Sequence, residues 1–297
     1  MDGLREHLQE RYGVGVTALS RLDRGVLKVA REDGSTWVAR VFPAERPLRE
    51  VEGDATVLRA LERAGFPAER CADDRPVSRL AGRGVLVTEF VAGDRAAPNG
   101  RSFAILGALL GRLHAQGAAG TRAGGAWHHL APAGGGPRAE LDGAAAILRA
   151  APARSAEAAR LLEELAALDD GAALPHAFVH PDPTPPNAIV TGERRLTIVD
   201  WTNAGRGPRV WSLAFLLWAA GARHPRILDA TVERYRRHSR LDADERAALA
   251  EAIRARPLLL DVWAIGAGRR SFEDAVAALP KARALAQEIA ARALAAA

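Results

Sequence analysis

"FVHPDPTPPNAIVTGERRLTIVDW", residues 178–201, is the stretch on which the reading of this chain turns. Pro181, Pro183, Pro185 and Pro186 crowd together, with His180, Asp182 and Asn187 set around them. Each proline fixes its own φ and pushes the residue before it towards extended geometry. Asp182 precedes Pro183, so its backbone is restricted before any ligand arrives. The two halves of "NAIVTGERRLTIVDW" read as short strands joined by the turn "TGER". Eighteen residues separate Asp182 from Asp200, enough for a loop, a strand, a turn and a strand back. A lone Asp or Asn in a proline-rich turn is usually a turn former. The ordered set of His180, Asp182, Asn187 and a strand-terminal Asp200 is much rarer and asks for a chemical reason.

His-x-Asp-x-x-x-x-Asn is the spacing of a kinase catalytic loop. Phosphoryl transfer needs a carboxylate near the attacking hydroxyl and oxygen ligands for the magnesium that neutralises the phosphates. Asp182 suits the first role, as a base or positioning group. Asn187 offers an amide oxygen, and Asp200 brings a second carboxylate from the end of the hairpin. Hard Mg²⁺ prefers such oxygen donors, with waters and phosphates completing its shell. A loop stiffened by proline provides the preorganisation that a positioning-dominated reaction requires.

Outward from this stretch, the 297 residues suffice for one large domain or two lobes with real cores. The net charge of +5 permits anionic partners such as nucleotides. The arginines are spread along the chain among Asp and Glu, with no basic arm and no interleaved aromatics, which argues against nucleic acid. Cys71 is the only cysteine, so neither an intrachain disulfide nor a cysteine metal cluster is possible. The N-terminus is charged, and the longest apolar run, residues 210–222, is too short for a bilayer. A cytoplasmic protein without a membrane partner is expected.

Residues 2–12 read as a helix, followed by strands at 15–23, 25–33 and 35–42. A helix at 47–65 carries Val51, Ala55, Leu58 and Leu61 on one face, and strands follow at 75–80 and 84–91. From residue 102 the character becomes helical, with Ala/Gly/Pro-rich connections at 117–137 and 150–156 and a serine-capped helix from 155. Beyond Trp201 only helices are expected, with breaks near Gly221, Pro225, Gly266–Gly268 and Pro280, and with Trp211, Trp218 and Trp263 in the core. The class is α+β: residues 1–92 form a five-stranded antiparallel lobe with one inserted helix, and 93–297 a mainly helical lobe.

"HPDPTPPN" and "IVDW" resemble the signature of the aminoglycoside phosphotransferase/choline kinase family, His-Gly-Asp-x-x-x-x-Asn followed by Ile-Asp-Trp. "LGALLGRLHAQ" and "NAGRGPRVWSLAFLLW" extend the likeness on both sides, over about residues 15–265. Pro181 replaces the motif's glycine, and Ser212 stands where the family often has Asp. The resemblance implies a bilobal, protein-kinase-like fold, ATP or GTP as donor, Mg²⁺, and transfer to a hydroxyl of a small molecule. It implies Asp182 as the catalytic carboxylate, with Asn187 and Asp200 on the metal, all three in the cleft between the lobes. It implies Arg40 on the α and β phosphates, Gly25 in the phosphate loop "LDRGVLKV", and base contacts from the backbone around Glu89 and Val91. A carboxylate of the inserted helix should pair with Arg40. Spacing favours Asp54 and reach favours a glutamate, with Glu50 and Glu52 the candidates. The histidine of the motif would order the loop without moving protons.

Two readings of different class follow. One is an ATP-dependent O-phosphotransferase for a small hydroxylated acceptor. The other is a nucleotide-binding pseudokinase that regulates a partner, against which the retained Asp182, Asn187 and Asp200 speak. Thr202-Asn203 after Asp200 is not an acidic pair, and Asp261, Glu273 and Asp274 alternate with Arg269 and Arg270. A neutral or singly charged acceptor is therefore expected over a polycationic aminoglycoside.

Overall fold

A computed structural model describes residues 3–116, 122–150 and 155–295. The chain divides into two compact units, Met1–Asp94 with Ile189–Thr202, and Arg95–Ala188 with Asn203–Ala297. Both connections expected at 117–137 and 150–156 lie partly outside the described residues.

In the first unit, α1 (Leu4–Tyr12) precedes β1 (Val16–Asp23), β2 (Val26–Arg31) and β3 (Thr36–Val41). The helix α2 (Leu48–Arg63) follows, then β4 (Val77–Leu80) and β5 (Arg83–Glu89). The five strands form one antiparallel sheet in the order β1-β2-β3-β5-β4. Alternation explains its faces. Trp37, Ala39 and Val41 of β3 are buried with Leu27, Val29, Val85 and Val87, and Leu4 and Leu8 of α1 close that core. Arg40 alternates to the other face of β3. The buried stripe of α2 holds Val51, Ala55, Leu58 and Leu61 as expected, and also Asp54. The strands β7 (Ala188–Gly192) and β8 (Arg195–Ile198) form the hairpin read from the sequence, and residues 189–202 cluster with this unit.

The second unit holds α3 (Gly100–Ala115), α4 (Pro137–Arg149), α5 (Ala156–Ala166) and β6 (His176–Val179). A short 3₁₀ turn spans Pro185–Asn187. After the hairpin come β9 (Gly205–Pro208), α6 (Arg209–Gly221), α7 (Pro225–Arg236), α8 (Ala243–Gly266) and α9 (Phe272–Ala295). The helix α6 is apolar around nearly its whole circumference and is accordingly buried against its neighbours. The close approach of α3 and α7 rests on glycine: a Cβ on Gly107 would stand 2.4 Å from the Thr231 carbonyl oxygen.

Three expectations are corrected. Residues 205–208 form a strand paired with β6, although only helices were expected beyond Trp201. The helix α9 continues through Pro280, so the break expected there does not occur. Trp211 is buried, but Trp218 and Trp263 are only half-buried.

Candidate active site

In the second unit the proline loop leaves β6 and is tied to itself by side chains. The His180 ring, fully buried, accepts the Asp182 N–H at Nδ1 at 3.0 Å, so the ring proton sits on Nε2. The carbonyl of His180 accepts the Ser212 hydroxyl of α6 at 2.7 Å. Serine at this position thus anchors the loop to a helix. Thr184, buried under the prolines, donates its hydroxyl to Asp182 Oδ1 at 2.5 Å. Asn187 donates Nδ2 to the Asp182 carbonyl at 3.0 Å, which leaves its amide oxygen for another partner. Asp182 is therefore fixed at its backbone from both sides and at one carboxylate oxygen.

In the first unit Asp200 follows β8 with φ 64°, in the left-handed region that only Asn and Asp among side-chain-bearing residues visit readily. The N–H of Asp200 donates to Glu69 Oε1 at 2.8 Å. Its carboxylate forms an ion pair with Arg40, Nη1 to Oδ1 at 2.8 Å. Glu69 is 8% exposed and also accepts the Thr88 hydroxyl at 3.2 Å. Burial pushes the Glu69 carboxyl above the usual range, Arg40 opposes that, and Asp200 adds to it. Burial works against the charge of Arg40, but Asp200 and then Glu69 outweigh it and hold the guanidinium above its ordinary value.

The carboxylate expected to pair with Arg40 is a correction. Asp54 contributes to the charge around Arg40, but its ion pair is with Arg46 at 2.8 Å, both side chains being 1% exposed. Glu50 lies 3.7 Å from Arg49, and Glu52 is exposed. Arg40 meets Asp200 instead, with Glu69 beside it. Gly25 sits in the β1–β2 turn with φ 75°, and a Cβ there would lie 2.7 Å from the Val41 carbonyl oxygen. Glu89 ends β5, its N–H bonded to the Arg70 carbonyl at 2.8 Å, and Val91 follows, half-buried.

Glu69 and Thr184 escaped the sequence reading. Glu69 lies in "GFPAER", outside any periodic element, so nothing marks it as buried. Thr184 had a signal, a hydroxyl two residues after an aspartate in a tight loop. Among the described residues no three His, Cys, Asp or Glu side chains cluster as a metal site. The Asp200 carboxylate of the first unit and the Asn187 amide of the second are each oxygen donors, the type that Mg²⁺ prefers.

A family model described as "Phosphotransferase enzyme family" matches residues 19–252, and the chain belongs to that family. No curated protein matches the chain at a significant level. Solved structures agree on the fold. The amicoumacin kinase hAmiN, in complex with AMP-PNP, Ca²⁺ and Ami, is 16% identical with a TM-score of 0.68, over 98% of this chain and 93% of that one. The choline kinase LicA from Streptococcus pneumoniae is 13% identical with a TM-score of 0.64, over 97% of each chain. An aminoglycoside-3'-phosphotransferase of type VIII is 21% identical with a TM-score of 0.62, over 89% of this chain and 98% of that one. The fold is kinase-like, a five-stranded antiparallel unit and a helical unit.

Proposed function

We propose that this member of the phosphotransferase enzyme family moves the γ-phosphoryl group of ATP or GTP to a hydroxyl of a small molecule. The observation that carries this reading is the restraint on Asp182. His180 and Asn187 hold its backbone and Thr184 holds one carboxylate oxygen, so the carboxylate is held in a fixed orientation for taking a proton. Asp182 takes the proton of the acceptor hydroxyl as its oxygen bonds to the γ-phosphorus. The bond from that phosphorus to the β–γ bridging oxygen breaks, and the nucleoside diphosphate leaves with the electron pair. Asn187 and Asp200 would hold Mg²⁺, which supplies charge neutralisation for the phosphates when bound. Arg40 would contact the α and β phosphates, its guanidinium kept charged by Asp200 and Glu69. The turn at Gly25 would cover the phosphates, and the backbone around Glu89 and Val91 would meet the base.

The test is Asp182→Asn, which keeps size and hydrogen bonding but removes the basic oxygen. The variant should fold, bind Mg·ATP within a few-fold of the parent, and lose transfer by about 10² or more. Calorimetry gives the first quantity, and turnover with an acceptor found by a metabolite screen gives the second. Full activity of the variant would overturn the assigned role. A parent that binds Mg·ATP tightly and phosphorylates nothing would favour the pseudokinase.

A further inference from the structure

The second unit contains a cavity of about 340 Å³ lined by none of the residues given a role in the activity proposed above. Leu213 and Leu217 of α6, Val232 of α7 and Leu249 of α8 give it apolar walls. Three cations line it as well, Arg236, Arg240 and Arg246, and no acidic side chain does. Among the described residues no carboxylate lies within ion-pair distance of these three arginines, whereas Arg209, Arg254 and Arg256 nearby each have one. Acids close in sequence to these arginines are committed elsewhere. Glu233 pairs with Arg237, Glu245 bonds Arg209 through both oxygens, and Asp242 caps α8. Arg236 donates Nη2 to the Ala293 carbonyl at 2.8 Å, while its Nη1 is buried and meets no acceptor. A buried donor without a partner is costly, and native structures rarely leave one so. Burial, and then the charge of Arg240, pull Arg236 below its ordinary value.

We propose that this cavity binds a medium-chain monocarboxylate. The hydrocarbon body lies against Leu213, Leu217, Val232 and Leu249. The carboxylate meets the positive charge of Arg236, Arg240 and Arg246, which line the cavity; Arg246 donates Nη1 to the Leu241 carbonyl at 2.8 Å and keeps its other donors for the ligand. The planar two-oxygen group matches a guanidinium fork, and the volume falls at the small end of ligand cavities, about 300 Å³ upward, short of what a nucleotide fills.

Octanoate titrated into the full chain by calorimetry, with and without Mg·ATP, tests the proposal. Octanoate should bind in both conditions. Hexanoate should bind about tenfold more weakly for its two missing methylenes. Octyltrimethylammonium should not bind. Arg240→Gln with Arg246→Gln alters only exposed side chains and should weaken octanoate by about tenfold or more. Leu217→Trp should fill the cavity and abolish binding while thermal unfolding stays cooperative. The proposal is overturned by any of three results: no octanoate binding at millimolar concentration, equal binding by the cation, or unchanged affinity in the double arginine variant. Displacement by inorganic phosphate at equal concentration would also overturn it, because the site would then be a simple anion patch.

Discussion

At the scale of single residues, the phosphate contacts proposed for the first unit depend on how one backbone position is held. Asp200 sits at φ 64° and owes that conformation to its N–H bond with Glu69 and its ion pair with Arg40. Loss of the Asp200 side chain removes a candidate Mg²⁺ ligand and the counter-charge of Arg40 together. ATP binding to Asp200→Ala should then lose most of its dependence on Mg²⁺, and Asn187→Ala should lose part of it, since it forfeits an uncharged oxygen. Calorimetry of ATP with Mg²⁺ and with a chelator measures both, and an unchanged Mg²⁺ dependence in Asp200→Ala would remove it from the metal. The sequence singled out Asp182, Asn187 and Asp200 because phosphoryl transfer asks for these residue types at a fixed spacing. The partner of Arg40 was not singled out, because it depends on which of several acids a fold buries. Arg46 claims Asp54 from two turns away, and Glu69 arrives from a segment without periodicity.

At the scale of elements, alternation and helical stripes gave the five-stranded sheet, α2 and the hairpin, while composition misled at two places. β9 reads "GRGP", residue types depleted from strands, and it exists because β6 pairs along it and the chain at 122–125 also bonds Arg206. A Cβ on Gly205 would stand 2.5 Å from the Arg122 carbonyl oxygen, so its glycine serves close packing. Pro280 was read as a stop because proline forfeits a helical hydrogen bond, but the packing of Ala275 and of Ala286 through Ala293 carries α9 past it. The α3–α7 pair yields a prediction about pH. His114 is buried, donates or accepts at Nδ1 with the Tyr235 hydroxyl at 2.9 Å, and has its pKa pushed down by burial, then by Arg209, to about 3. The unfolded chain binds this proton near 6.5 and the folded chain only near 3, so acid favours unfolding throughout that window. Lowering the pH from 7 to 5 should cost about 2 kcal/mol through this group. Urea unfolding of the parent and of His114→Gln at both pH values should differ by that amount, and parallel losses would show that His114 titrates normally.

At the scale of the whole molecule, several arginines are held in internal ion pairs. Arg46–Asp54, Arg209–Glu245 and Arg256–Glu140 are buried or partly buried pairs, and Glu140 also accepts the Trp127 N–H at 3.1 Å. Such pairs make poor reservoirs of stability, because desolvation offsets their attraction, but removing one partner leaves a buried charge alone. The same accounting bears on the acceptor. A polycationic aminoglycoside needs several converging carboxylates whose charge is free to meet ammonium groups. In the second unit Glu140, Glu164 and Glu245 are held by arginines, Asp229 is held by Arg292, and Asp261 faces Arg270 at 3.2 Å. Burial also raises Asp261 above the ordinary carboxylate range, against the pull of Arg270, which makes it a weak anchor for a cation. A neutral polyol, a nucleoside or a monoamine alcohol makes no such demand. With purified protein and Mg·ATP, kanamycin-type substrates should be phosphorylated with kcat/KM well below about 10⁴ M⁻¹s⁻¹, the lower end of ordinary enzymes, and at least one neutral or singly charged acceptor should exceed it. Efficient kanamycin phosphorylation would mean that carboxylates now paired with arginine exchange partners when a polycation binds, and the charge argument would fail with it.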